Sequence, residues 1–425
     1  MSIRGSLFIF ITFIVFLYSF KKPKAGLFYF ILLLFLRDGY LMEQIPEVYQ
    51  SWHLPLVTSL VVLVTWFFNN LGKGERIYKP IEIILLFLLG VIIFISKRNA
   101  IEPWKTLDIF DEYIRMIVLG FLIINIIKTE KDLKEILFLL IGLITFLVLY
   151  AYKQYKLEGY PIAVPNFYYV DRNFFAQSIA AVLPMAYMFF EEAKKKVLKF
   201  TFLGIVAIMA MGVILTYSRG GLLALLLGLF FLFWQSRKKV SMVVFGVIIL
   251  MLFLPHIGEK YVNRVNTIQT YEEDSAAMAR VASWHAAINM FNDYPLTGIG
   301  AGNFNYRVYD YCPIELRQYA GGELSIHSTF LQILSETGLL GSMLFMLVIF
   351  LCVYSTFSLN RKNNKLQLER RVNLAIPNAL RASLLAFCGA AVFLPGAYYS
   401  YIYILFPLIM ASKKIYSDKL KALKA

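Results

Sequence analysis

Cysteine is almost missing from this sequence. Among 425 residues there are three, Cys312, Cys352 and Cys388. Only the first falls in a polar stretch, so no disulfide framework is available to hold the fold. Low-complexity tracts and a clear internal repeat are missing too, which counts against a transporter built of two inverted halves. Histidine is nearly as scarce, with four, and neither a His/Cys cluster nor paired carboxylates mark a metal site. The N-terminal apolar segment has no small-residue cleavage site after Phe20 and reads as a retained helix, not a signal peptide. Long polar intervals are equally rare. A single one, from Leu254 to Gly341, stands in a chain that is otherwise one apolar run after another, and function is expected to concentrate there.

Those apolar runs decide the class. The chain is 59% hydrophobic with a mean hydropathy of +0.65. Spans are predicted near 5–20, 25–36, 54–68, 80–96, 113–127, 135–152, 174–190, 197–216, 220–234, 240–254, 328–357, 378–394 and 398–412. Several are short for a ~30 Å hydrocarbon core, so flanking aromatics such as Trp104 and Lys or Arg side chains complete them. The net charge of +15 points to no nucleic-acid partner, because of where it sits. The alternate connections 21–24, 69–79, 128–135, 191–199, 235–239, 358–381 and the tail after 412 hold 27 of the 42 Lys and Arg. With Glu82 they hold only 9 of the 27 acids. By the positive-inside rule that face is cytoplasmic, which puts the long loop outside. The expected fold is all-α and polytopic, with about 12–13 transmembrane helices. Its expected divisions are N-terminal helices over 1–152, helices carrying outer-face motifs over 153–254, a large outer loop over 255–326, and C-terminal helices with a tail over 327–425.

Five stretches on the outer side stand out. Asp171-Arg172-Asn173 stands where a helix is expected to begin. Thr216-Tyr217-Ser218-Arg219-Gly220-Gly221 interrupts two apolar runs. An arginine there is costly unless its charge is needed, and a helix N-terminus beside a guanidinium fork is a ready anion site. The stretch from Asp274 to Phe291 reads as a helix of about four turns; its face of Arg280, Trp284, Ala287 and Phe291 suits a helix lying on the membrane surface. Pro295-Leu-Thr-Gly298-Ile-Gly300-Ala-Gly302 has glycine spacing but no preceding strand, so it is no dinucleotide fingerprint. It is expected to bend so that the backbone approaches a ligand or a neighbouring helix. His327 opens the next helix. A helix N-terminus and nearby arginines disfavour the imidazolium, leaving a neutral base. Glu336, with Gly338 and Gly341, reads as structural.

Ser218-Arg219-Gly220, then Arg280…Trp284 leading to Pro295-Leu-Thr-Gly-Ile-Gly, then His327-Ser…Glu336-Thr-Gly-Leu-Leu-Gly341, in this order around one outer loop, resemble the O-antigen ligase family. The likeness covers roughly residues 165–345, and a proline commonly stands in the family where this chain has Arg172. The resemblance implies a C-type glycosyltransferase-like architecture in the bacterial inner membrane with its site facing the periplasm. It implies a glycan donor on undecaprenyl diphosphate and an acceptor hydroxyl such as that of lipid A-core. It assigns Arg219 and Arg280 to the diphosphate and His327 to the attacking hydroxyl, and Ser218, Gly220, Asp171 and Trp284 are expected to bind substrate. No cofactor and no metal are expected, and transfer is expected to be direct and inverting. A polymerase or a protein O-oligosaccharyltransferase of the same superfamily would share this site. A lipid-linked glycan transporter would need pseudo-symmetric halves, and the sequence shows none.

Overall fold

The structure is a computed structural model that describes residues 3–36, 54–71, 74, 76–158, 171–235, 239, 246–247, 251, 275–320 and 324–423. It is 84% helical and contains no strand among the described residues. In chain order the helices are α1 (Ile3–Lys21), α2 (Pro23–Leu36), α3 (Leu54–Leu71), α4 (Ile81–Ser96), α5 (Pro103–Ile126), α6 (Glu130–Glu158), α7 (Arg172–Glu192), α8 (Lys196–Leu215) and α9 (Arg219–Gln235). Then come α10 (Ser275–Asp293), α11 (Phe304–Tyr311), α12 (Thr329–Asn364), α13 (Ala375–Ala391) and α14 (Ser400–Ala422). Helices α3, α6, α7, α8 and α12 contain segments long and apolar enough to cross a membrane, and α1, α2, α9 and α13 are shorter apolar helices. The protein is an all-α, polytopic membrane protein. Twelve of the thirteen predicted spans fall on a helix; the one at 240–254 lies almost wholly outside the described residues.

Helix α7 organises the bundle. Every residue from Phe175 to Met188 is buried, and α8, α9 and α13 pack around it. Helix α14 is its counterpart: Ser400 to Ser412 are buried without a break, between α5, α12 and α13. Helices with lipid-facing sides look different. In α6, α8 and α12 exposed Phe and Leu alternate with buried positions, as expected of a helix with one side on hydrocarbon.

The two ends of the bundle differ. At one, Lys24 reaches Asp132 and Glu135, each at 2.6 Å. Lys134 bridges Glu130 at 3.1 Å and Glu192 at 2.9 Å, Lys413 pairs with Glu82 at 2.7 Å, and Lys419 pairs with Glu130. These pairs join connections that charge counting assigns to a common face. Part-exposed ion pairs contribute only ~0–1 kcal/mol each, so they locate that face more than they hold it. At the other end the connection 97–106 meets the polar region 295–307. There a second, smaller apolar core gathers Ala282, Ala286, Met290, Ile299, Phe304 and Ile326.

Candidate functional site

Four polar segments meet at that second end. The first is the start of α7. Asp171 is its N-cap, and its carboxylate accepts from the amides of Asn173 at 2.6 Å and Phe174 at 3.3 Å. A side chain that satisfies two otherwise unpaired amides fixes where a helix begins. Asn173 continues the chain of contacts, because its Oδ1 accepts from the Ser218 hydroxyl at 2.7 Å. Ser218 Oγ in turn accepts from the Gly221 amide at 3.1 Å, so the starts of α7 and α9 are joined through one hydroxyl. Gly221 is required here, since a Cβ would lie 2.3 Å from that of Ala176. The amide of Gly221 is thus taken by Ser218 and does not point outward for a ligand, as the sequence suggests. Gly220 is buried beneath Leu394, and Arg219 projects from the first turn of α9 with its side chain exposed.

The second segment is the glycine-spaced bend. Helix α12 breaks at Gly338, where φ is 67° and ψ −165°, and the bend fills the break. Leu339 N–H donates to Pro295 O at 2.8 Å and Leu340 N–H to Leu296 O at 3.4 Å. In the other direction Ile299 N–H donates to Ser335 O at 2.9 Å and Gly300 N–H to Glu336 O at 3.1 Å. The approach is close enough that a Cβ on Gly298 would sit 2.3 Å from the Glu336 carbonyl carbon. The two glycine motifs are halves of one joint: the bend approaches a helix.

The connection 97–106 braces this joint from behind. Asn99 Nδ2 donates to Gly298 O at 2.9 Å. Asn303 Oδ1 accepts from the Glu102 amide at 2.7 Å, and its Nδ2 donates to Thr106 Oγ1 at 3.1 Å. Thr106 Oγ1 donates to Ala301 O at 2.9 Å. Trp104 beside it is exposed.

The last two segments bring Arg280 and His327 together. Helix α10 spends its buried face (Ala282, Ser283, Ala286, Ala287, Met290) on the small core of the polar region, and so packs within the protein instead of resting on a bare membrane surface. Ser283 Oγ is within hydrogen-bonding distance of Ile326 O, at 3.3 Å, which sets α10 against the strand-like run leading to His327. Trp284 packs its ring 6.2 Å from that of Phe393. Its buried indole N–H finds no acceptor among the described residues. His327 stands just ahead of α12, not in its first turn: Ser328 is the N-cap, accepting from Leu331 N–H at 3.4 Å. Its φ of +43° and that of Tyr217, +52°, are the two left-handed non-glycine backbones among the described residues. Each such residue costs ~1–3 kcal/mol, and strain of this kind gathers at functional sites. Burial pushes the His327 pKa below its ordinary value, the Arg280 guanidinium pushes it further, and the Asp171 carboxylate opposes both. The imidazole is therefore neutral near pH 7, an acceptor for a proton beside a fixed positive charge.

Comparison with known sequences bears on the same stretch. Residues 204–346, which contain Arg219, Arg280, His327 and both halves of the glycine joint, match the O-antigen ligase family. This part of the chain is similar to the O-antigen ligase domain of that family. A protein of Rickettsia conorii named "Putative polysaccharide ligase" is 23% identical over 323 residues, covering 71% of this chain and 75% of that protein. The family match excludes Asp171 and Asn173, yet the structure ties both to Ser218 inside it. Asn99, Thr106, Asn303 and Ser328 escape sequence reading. A capping serine before a helix is a visible signal, but nothing along the chain announces that 97–106 meets 295–303.

Proposed function

We propose that the protein transfers a glycan from undecaprenyl diphosphate to a hydroxyl of an acceptor such as lipid A-core, on the periplasmic face of the bacterial inner membrane. The observation that carries this reading is the juxtaposition of Arg280 and Asp171 with a half-buried His327 ahead of α12. The acceptor hydroxyl gives its proton to the His327 imidazole as its oxygen attacks the anomeric carbon. The bond from that carbon to the diphosphate oxygen breaks, and the electron pair leaves with the diphosphate. Attack opposite the leaving group inverts the anomeric centre.

Each residue has a task the chemistry requires. Diphosphate leaves readily once its charge is countered, and two guanidinium forks at ~1.5–3 kcal/mol each supply much of that. Arg219, in the first turn of α9, and Arg280, on α10, take this role. Proton removal by His327 adds about 10²–10⁴ in rate. Asp171 holds the start of α7 and acts electrostatically on His327, Ser218 locks the two helix starts together, and Gly220, covered by Leu394, keeps the start of α9 closely packed. Trp284 offers a ring and an N–H to the substrate.

The test is His327→Ala, purified and assayed for transfer in vitro. A folded variant whose transfer falls by at least about 10² supports a general base. Transfer near the wild-type rate would remove His327 from the reaction.

A further inference from the structure

Ser325 and Ile326, the residues that lead to His327, line a cavity of about 360 Å³. It runs between α5, the start of α7, the segment 302–305, the first two turns of α12 and the segment 395–399. That is at the small end of the ~300–1,000 Å³ typical of ligand pockets. Its lining contains two carboxylates, Glu112 and Glu336, and no lysine or arginine. The proposed diphosphate chemistry needs positive charge, and the lining of this chamber supplies none.

Glu336 is the unusual member. It is 2% exposed, and its Oε2 makes no well-formed hydrogen bond among the described residues. The hydroxyl of Tyr398, on the same wall, is also buried and without a well-formed bond, although the two groups are near neighbours. Buried polar groups are nearly always hydrogen-bonded, and the Gly302 and Phe304 amides, the Tyr398 hydroxyl and the Gln332 side chain stand around this carboxyl as its partners. Both residues line the cavity, where a ligand's hydroxyl groups can bring further donors and acceptors. Gln332 adds a side-chain amide whose Oε1 accepts from the Ala397 amide at 3.2 Å. Phe174 and Tyr399, stacked 4.5 Å apart at 15°, form an aromatic wall beside these polar groups.

A carboxyl, a phenol and a side-chain amide beside stacked aromatic rings, without cations, suit a neutral ring bearing many hydroxyls. The geometry points to this cavity as a sugar-binding subsite, in which Glu336, Tyr398 and Gln332 bond the hydroxyls of one sugar ring while Phe174 and Tyr399 cover its apolar face. The assignment rests on the glycan-transfer reading for its substrate class, and it separates the tasks in space. The arginines and His327 serve the diphosphate and the reacting hydroxyl, and the chamber lined by Ser325 and Ile326 holds a sugar ring of the transferred or the receiving glycan.

Saturation-transfer NMR on the full-length protein in detergent tests this directly. Two lipid-free probes are used, both released by mild acid from the surface polysaccharide of the strain that carries the gene: the core oligosaccharide and the repeat-unit glycan. Wild type is expected to transfer saturation to one of them, and the probe that responds identifies the source of the ring. Tyr399→Leu and Glu336→Gln are each expected to weaken that transfer at least fivefold. Tyr399→Leu leaves the carboxylate and its neighbouring amides untouched, so it remains informative if Glu336→Gln fails to fold. No saturation of either probe by wild type, or undiminished saturation in folded Tyr399→Leu, would overturn the assignment. Because the readout needs neither diphosphate nor turnover, a protein that binds glycan but transfers none would refute the transferase reading alone. One that transfers glycan without sugar contacts in this cavity would refute the subsite alone.

Discussion

Replacing Gly338 with alanine should damage the protein more than its single added methyl suggests. At φ 67° and ψ −165° the residue occupies a backbone region essentially closed to other residues, at ~1–3 kcal/mol for a side chain forced into it. Space makes matters worse, because the new Cβ would stand 2.4 Å from the carbonyl carbon of Leu296. That atom is backbone and cannot rotate away, so the bend must move off α12. Movement endangers the four backbone hydrogen bonds that close the joint, each worth ~0.5–1.5 kcal/mol. With strain and two lost bonds, destabilisation is on the order of 3 kcal/mol. Gly204→Ala in α8 is the control. Nothing lies within 4 Å of its would-be Cβ, and an unhindered helical Gly→Ala change stabilises by ~0.5–1 kcal/mol. Detergent-purified wild type and both variants would be compared by thermal inactivation half-life, since unfolding of such proteins is seldom reversible. The expected order is Gly204→Ala, wild type, Gly338→Ala. A Gly338→Ala protein that survives heating as long as Gly204→Ala would refute the account of the joint.

Further outcomes follow from the site. In Arg219→Lys and Arg280→Lys the charge remains but the bidentate fork is lost, so turnover should fall in each, and the double variant should fall by less than the sum; full activity in either single variant, or additive losses, would end the shared-diphosphate assignment. The acid limb of the kcat/KM profile should have its midpoint below the ordinary histidine value of ~6.5, because burial and Arg280 lower the His327 pKa and the base is lost only as pH falls through that lowered value. Asp171→Asn removes the carboxylate that opposes this shift while retaining a good helix cap, so the limb should move further toward acid; an upward shift would contradict the electrostatics. In the proposed reaction the Arg219 and Arg280 guanidiniums counter the diphosphate charge, so transfer should persist in excess EDTA; loss restored by a divalent cation would refute this.

Much of this was legible along the chain because membrane spans announce themselves through length and hydropathy, and motif residues through their cost. Arg219 at a Gly-Gly turn and His327 before a long apolar helix are conspicuous for that reason. Helix ends were less legible. The span predicted at 113–127 belongs to a helix that begins at Pro103, since hydropathy marks the hydrocarbon and not the last hydrogen-bonded turn. Glu336 shows the sharper limit. Its spacing from His327 puts it on the far side of α12 and reads as structural, but the packing of five separated segments makes it the wall of a cavity. The contact of 97–106 with 295–303 is equally invisible, because it is a meeting of residues some 200 positions apart that carry no charge pattern in common.

The uninterrupted burial of Ser400 to Ser412 bears on how the protein is made. Helix α14 follows its neighbours α5, α12 and α13 in the chain and fills the space among them. During synthesis these helices enter the bilayer before their central partner exists. Tyr113, which packs 5.1 Å from Tyr403, must until then meet lipid, an open gap or a chaperone. Assembly thus waits on translation of α14: a ribosome stalled before Ser400 leaves α5, α12 and α13 without the helix that packs against all three.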